Sequence, residues 1–292
     1  MSEIHCVRDE ELPVLLQWLK GHLPLTWKLY GTLREQLRGR WQGTTFCTLG
    51  WPEILAVAEG PVNEHLCKVV GHYTDPRRTS VFAPEATHAQ TLLTWPGFID
   101  WSQPVIFHMM SPQVASVVRS LSQAAGCPSP KSIPLTLLTA HPGDINFRPI
   151  DPTDMTVRRL QPETDAWFVA SNWDYAAKHT LAYVQELMNN FPSLGVFSRD
   201  GACLGAELGT EWGFMGMLFV SPSARGCGLA KLLTCRLAEK YFEEDLPAVV
   251  VTSVDNMESI CLHESLGFRQ QCGLTLMYHS PGGSHNEETS TG

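Results

Sequence analysis

The chain has no excess of basic charge. Twenty-one lysines and arginines stand against thirty aspartates and glutamates, a net charge of -9. No basic block interrupts that balance, so a surface that neutralises a phosphate backbone is excluded as its main business. No apolar run approaches the ~20 residues that a membrane-spanning helix needs. Nine cysteines (Cys6, Cys47, Cys67, Cys127, Cys203, Cys227, Cys235, Cys261 and Cys272) are scattered singly. None shows Cys-x-x-Cys or zinc-ligand spacing and their number is odd, which reads as free thiols in a reducing compartment and no metal site. The first residues carry acids (Glu3, Asp9, Glu10, Glu11) and lack the apolar centre of a signal peptide. They also lack the Arg-rich, acid-poor character of a cleaved organellar presequence. Low complexity is confined to a tail from Ser280, rich in Gly, Ser, Thr and Glu and expected to be disordered. What remains is a 292-residue chain, 43% hydrophobic, with room for two compact domains or one large one.

The most informative stretch runs from Met217 to Ala230. Met217 to Val220 is a short apolar run, ended by Ser221 and Pro222 because proline brings no N–H to a sheet. From Leu229 onward Leu229, Leu232, Leu233, Leu237 and Tyr241 recur at helical spacing. Between strand and helix, Arg225, Gly226, Cys227 and Gly228 leave backbone amides uncovered at a helix N-terminus. The first-turn N–H groups of a helix are unpaired and its dipole is positive there, so the turn suits an anion, a diphosphate first of all. Cys227 inside the turn is either a reactive thiol or simply a small residue.

Arg225-x-x-Gly228-x-Ala230 resembles the Arg/Gln-x-x-Gly-x-Gly/Ala signature of the GNAT superfamily of N-acyltransferases. About thirty residues on, Asn256, Ser259 and Leu262-His-Glu-Ser-Leu-Gly-Phe268 are similar to the superfamily's Asn-x-x-Ala/Ser-x-x-Leu-Tyr-x-x-x-Gly-Phe. The resemblance implies acyl-CoA as co-substrate and no permanently bound cofactor. The diphosphate of coenzyme A would sit on Arg225, Gly226, Cys227, Gly228, Leu229 and Ala230. The backbone of Leu218, Phe219 and Val220 would pair with the pantetheine arm, and Asn256 and Ser259 would lie near the CoA chain, unless Asn256 only caps its helix. In the first half, Leu23-Pro24, Lys28-x-Tyr30-Gly31, Trp51-Pro52 and His72-Tyr73-Thr74 follow one another in the order seen in the glycine N-acyltransferase family. Phe191-Pro192, Asp200-Gly201 and Pro222-x-x-Arg225 extend that likeness to the second half.

The expected fold is a mixed α/β sheet of GNAT type, as two GNAT-like halves in tandem. Residues 1–126 form a degenerate first half, 127–154 a Pro-rich linker holding a strand or two, 155–279 the catalytic half and 280–292 the tail. Leu12, Leu15, Leu16 and Leu19 line one face of a helix over 9–23. A strand-and-turn region follows through Trp51-Pro52. Pro104–Met110 reads as a buried strand, and Ser111-Pro112 as the entry to a helix that stops near Gly126. In the second half we expect strands at 155–160, 194–198, 202–208, 214–220, 248–252 and 268–278. Helices are expected at 162–172, 178–190, 229–242 and 256–266, with Asp200-Gly201 as a hairpin turn.

Acyl transfer from a thioester to an amine needs positioning, loss of a proton from the amine, an oxyanion donor and a proton for the leaving thiolate. The position where the resemblance implies a carboxylate base holds Phe214, which accepts no proton. Glu211 and Glu207 are the nearest carboxylates; Glu211 is the candidate base, acting directly or through a water, and otherwise an ordinary turn glutamate. The tyrosine that the resemblance implies as proton donor is replaced by His263, the candidate acid, unless it is a structural histidine. An amino-acid acceptor needs a cation for its carboxylate, for which Arg158, Arg159, Lys178 and His179 are candidates. The resemblance thus implies an acyl-CoA:amino-acid N-acyltransferase acting on glycine or, second, glutamine, as a monomer in the mitochondrion or the cytoplasm. Two rivals stand beside it: a protein or polyamine acetyltransferase, and a CoA-binding protein without turnover.

Overall fold

The computed structural model describes residues 3–60, 77–145, 154–174 and 180–282. His72-Tyr73-Thr74, Lys178, His179 and most of the tail lie outside the described residues.

The first half contains β1 (Ile4–Cys6), α1 (Leu12–Lys20), α2 (Trp27–Leu37), β2 (Phe46–Leu49), β3 (Ala56–Glu59), β4 (Arg77–Thr79), β5 (Val81–Phe82), α3 (Ala86–Leu93), β6 (Val105–Met110) and α4 (Pro112–Ala124). Strand β7 (Lys131–Ala140) follows, then β8 (Met155–Arg158), α5 (Pro162–Ser171), α6 (Thr180–Asn190), β9 (Ser193–Ser198) and β10 (Cys203–Gly209). The chain continues through β11 (Met215–Val220), α7 (Leu229–Phe242), β12 (Ala248–Ser253), α8 (Met257–Ser265) and β13 (Arg269–His279). Among the described residues these strands form a four-stranded sheet, β1-β2-β3-β5, and a nine-stranded one, β4-β6-β13-β7-β12-β11-β10-β9-β8.

The stretch expected as a linker contributes a central strand. β7 pairs with β12 from Ala140↔Ala248 to Leu135↔Ser253 and with β13 from Thr139↔Arg269 to Lys131↔Tyr278. β13 in turn lies between β7 and β6. A strand that precedes the second half is therefore flanked by two strands of that half, while the last strand of the chain fills the gap beside β6. Each half supplies backbone partners that the other lacks, so the halves interlock through hydrogen bonds that would otherwise be left open. Pro134 is tolerated in β7 because β12 ends at Ser253, opposite Leu135, just short of it. The Pro134 carbonyl, on the side where the N–H is missing, accepts from Val254.

Trp27–Leu37, expected within a strand-and-turn region, is a helix. Trp27, Lys28, Gly31, Thr32, Arg34 and Glu35 are all buried, so this helix hides polar and apolar side chains on most of its circumference. Such a segment shows no clean amphipathic stripe in sequence, and a mid-helix glycine hides it further. Gly31 has a structural reason. A Cβ there would lie 1.8 Å from the Trp212 carbonyl oxygen, so α2 rests backbone-to-backbone on the β10–β11 turn. Trp27 packs with Leu135, Leu137, Phe214, Val249 and Leu274 in one cluster drawn from both halves. Leu15, Leu19 and Leu33, fully buried beside it, contribute roughly 1.5–3 kcal/mol each. A polar seam runs alongside: the Glu244 carboxylate accepts from Arg38 (2.6 Å) and from both terminal nitrogens of Arg40 (3.0 and 2.7 Å).

Helix α7 covers the opposite face, with Leu237, Ala238 and Tyr241 against Leu138, Met215 and Val250. Among the described residues no helix is long and apolar enough to cross a membrane.

Candidate active site

Strands β11 and β12 run parallel but pair at one register position, Met215↔Val250. Beyond it they part. Burial reports the opening: Met215 and Val250 are buried, while Gly216 to Val220 and Val251 to Ser253 are half-buried. β11 also carries a bulge. Across β10, Ala206 faces Phe219 and Leu208 faces Gly216, so one extra residue is accommodated in β11, where Met217 adopts φ 53. A bulge of this kind leaves ladder amides unpaired. The backbone of Leu218, Phe219 and Val220 consequently borders a wedge-shaped cleft.

The cleft leads to the turn ahead of α7. Pro222–Ala224 forms a single 3-10 turn, and Arg225, Gly226 and Cys227 are exposed. Gly226 (φ 79) and Gly228 (φ 76) both occupy the left-handed region, and Gly228 is the N-cap of the fourteen-residue α7. A Cβ at Gly226 would meet nothing within 4 Å, so the turn is open on that side. Arg225 Nε donates to the Val220 carbonyl at 3.2 Å, tying its side chain back to the end of β11. Leu229 is buried as the first α7 residue and Ala230 follows half-buried, leaving the first-turn amides directed at the open turn.

Asn256 is the N-cap of α8, its Oδ1 accepting from the Ser259 amide at 3.1 Å, so its side chain is used in capping. His263, the candidate acid, lies on α8 with its side chain turned inward. The imidazole is 2% exposed and packs edge-on against Phe268 at 5.1 Å. Its Nδ1 lies 2.7 Å from the Ser259 carbonyl oxygen, which only accepts, so Nδ1 carries the proton. Burial lowers its pKa, against the smaller opposing effect of the Ser259 carbonyl. Its buried Nε2 has no hydrogen-bond partner among the described residues. Burial disfavours the charged imidazolium, and the Nδ1 proton is engaged by the Ser259 carbonyl.

The carboxylates divide cleanly. Phe214 is buried in the cluster around Trp27. Glu207 is on the face of β10 that meets α7, since a Cβ at Gly205 would touch Leu233 and one at Gly209 would touch the Tyr241 hydroxyl. It lies beside Thr234, and burial pushes its pKa up to about 8. Glu211, in the β10–β11 turn, is 2% exposed and accepts a hydrogen bond from the Tyr183 hydroxyl at 2.7 Å. Of the cations considered for an acceptor, Arg158 is held by Asp165 (2.7 Å) and Arg159 by the carbonyls of Met188 and Asn189.

Sequence reading missed a second feature altogether. Glu211 and Trp212 line a cavity of about 50 Å³ between the halves, together with Lys28, Glu59, Arg78 and His108. Lys28 Nζ donates to both oxygens of Glu59 and stands 5.3 Å from the Trp212 ring, which His108 faces at 5.6 Å. Lys28 belongs to the Lys28-x-Tyr30-Gly31 motif and Glu211 is the candidate base, but these residues are far apart in the chain, so only tertiary structure brings them around one cavity.

A family described as aralkyl acyl-CoA:amino acid N-acyltransferase matches residues 3–192, and one described as FR47-like protein matches residues 193–275. Bovine (Bos taurus) glycine N-acyltransferase is 20% identical over 270 residues, covering 85% of this chain and 88% of that protein. A Drosophila protein of known structure superposes with a TM-score of 0.81 at 18% identity, over 97% of this chain and 100% of its own. A GCN5-related N-acetyltransferase from Sphaerobacter thermophilus gives a TM-score of 0.56 at 15% identity, over 94% of each chain. A tandem GNAT protein from the clavulanic acid biosynthesis pathway gives 0.52 at 14% identity, over 96% of this chain and 100% of its own. The fold is thus that of the GNAT proteins, and with nearly two-thirds of its length matched, the chain belongs to the aralkyl acyl-CoA:amino acid N-acyltransferase family.

Proposed function

We propose that the protein transfers an acyl group from acyl-CoA to the amine of a small amino acid, glycine first, giving an N-acyl amino acid and free CoA. The observation that carries this reading is the cleft between β11 and β12 continuing into the open turn of Arg225, Gly226, Cys227 and Gly228. The α7 amides and Arg225 hold the diphosphate, and the backbone of Leu218 to Val220 pairs with the pantetheine arm. The bulge at Met217 frees amides to donate to the thioester oxygen as it gains charge. The acceptor nitrogen attacks the carbonyl carbon and the C–S bond breaks. Glu211 takes the amine proton, directly or through a water, and the CoA thiolate takes a proton from solvent.

For the acceptor, the cavity between the halves supports a zwitterion. Lys28, Arg78 and His108 face Glu59 and Glu211 around it. At about 10–15 Å³ per water, 50 Å³ is room for about three to five waters, the scale of glycine's non-hydrogen atoms. A carboxylate would turn to the cations and an ammonium to Glu211.

The deciding experiment follows free-thiol release from acetyl-, benzoyl- and oleoyl-CoA with glycine, glutamine or spermidine present. Glycine-dependent release supports the proposal and reports the acyl preference. Release with spermidine alone would replace it by a polyamine acetyltransferase. The buried Phe214 favours the reading without turnover, and CoA binding with silence across the whole panel would establish that one instead.

A further inference from the structure

The first half holds a pair of sulfurs in contact. Cys6, exposed on the edge strand β1, and Cys47, buried on β2, have their Sγ atoms 3.7 Å apart. They are directly opposite one another in the antiparallel ladder, next to His5↔Thr48 and Ile4↔Leu49. The hydrogen bonds fix which kind of pair this is. Val7 N donates to Phe46 O at 2.9 Å and Gly50 N to Glu3 O at 3.0 Å. Hydrogen-bonded levels alternate along an antiparallel ladder, so the levels of residues 3, 5 and 7 are bonded ones and Cys6↔Cys47 is not. At such a level the Cα atoms are about 4.5 Å apart and the side chains at their closest. That separation falls within the roughly 4.4–6.8 Å that a disulfide requires.

We propose that Cys6 and Cys47 are a reversible redox site, closing to a cross-strand disulfide when the protein meets a small-molecule disulfide such as oxidised glutathione. The exposed Cys6 sulfur attacks first; one glutathione leaves as thiolate and Cys6 carries the other as a mixed disulfide. The Cys47 sulfur then displaces that second glutathione and gives up its proton to solvent. Two protein thiols are oxidised to one S–S bond, and one glutathione disulfide is reduced to two glutathiones. Burial, with Cys6 adding to it, pushes the Cys47 thiol up to about 12, which makes it a poor initiator and leaves the first step to Cys6. Cys227, exposed in the turn before α7 with its thiol directed at the Arg225 carbonyl, is an internal comparison. It takes a mixed disulfide that no neighbouring sulfur among the described residues resolves.

The test uses the full chain equilibrated in glutathione buffers from reducing to oxidising, acid-quenched, alkylated and mapped by mass spectrometry. The expected product is a peptide pair linked through Cys6 and Cys47, lost on treatment with dithiothreitol, with an upward shift of a few degrees in Tm for the oxidised protein. Cys47→Ser should trap glutathione on Cys6, and Cys6→Ser should remove the linked peptides while leaving Cys227 modification unchanged. Either of two results overturns the proposal: both thiols alkylated throughout the oxidising range, or glutathione retained on Cys6 of the unaltered protein with no linked peptide.

Discussion

Glu207 offers a quantitative test of how tightly α7, the helix that follows the Arg225-to-Gly228 turn, lies on the sheet. The side chain is buried between β10 and α7 beside Thr234, and burial moves its pKa from 4.5 to about 8. A raised pKa on an acid means that the native state keeps a proton which the unfolded chain has already lost. This contribution to stability is therefore fully present below about pH 4.5 and is lost as pH rises towards about 8. The whole shift corresponds to about 5 kcal/mol at most. Between about pH 5.5 and about pH 8.5, the loss amounts to about 3 kcal/mol. Glu207→Gln keeps the shape and removes the titration. Urea unfolding of both proteins across this range should show the variant gaining about 3 kcal/mol relative to the parent by the alkaline end. Parallel pH profiles for the two proteins would refute the reasoning, because they would mean that Glu207 ionises freely and that α7 does not seal it from water.

Four further outcomes follow from particular residues. Gly226→Ala puts a methyl where nothing now lies within 4 Å; it should cost only about 1 kcal/mol of left-handed strain yet weaken acyl-CoA binding about tenfold or more by calorimetry, and unchanged affinity would move the diphosphate elsewhere. Gly31→Ala drives a Cβ into the Trp212 carbonyl; urea unfolding should show about 3 kcal/mol of destabilisation, and a change within about 0.5 kcal/mol would mean that α2 does not clamp the turn. Glu211→Gln keeps an oxygen for the Tyr183 hydroxyl but removes the base; glycine-dependent turnover should fall about 100-fold with acyl-CoA affinity unchanged, whereas full turnover would take Glu211 out of the mechanism. His263→Gln should retain turnover within about threefold, because the buried ring has its Nδ1 proton engaged by the Ser259 carbonyl; a loss of about 100-fold would make it the acid.

The amino-acid order by itself determined the second half closely. Leu229–Phe242 and Pro162–Ser171 are helices essentially as the periodicity and the proline entry predict, since each has a buried face and its own start signal. The Arg225-to-Ala230 turn was equally legible, because left-handed glycines and free helix amides are properties of a short run of backbone. Tertiary structure decided the rest. It made a buried helix of Trp27–Leu37, where packing on the β10–β11 turn overrides a weak local pattern, and a central strand of the expected linker, where β12 and β13 offer hydrogen-bond partners from over a hundred residues away. It also buried His263 and gathered Lys28, Glu59, Arg78, His108 and Glu211 around one cavity. Charge and chemistry are written in single residues, but burial and proximity belong to pairs. Sequence therefore announced the glycine turn proposed for CoA, while the burial of His263 and the cavity between the halves came into being only when the chain closed on itself.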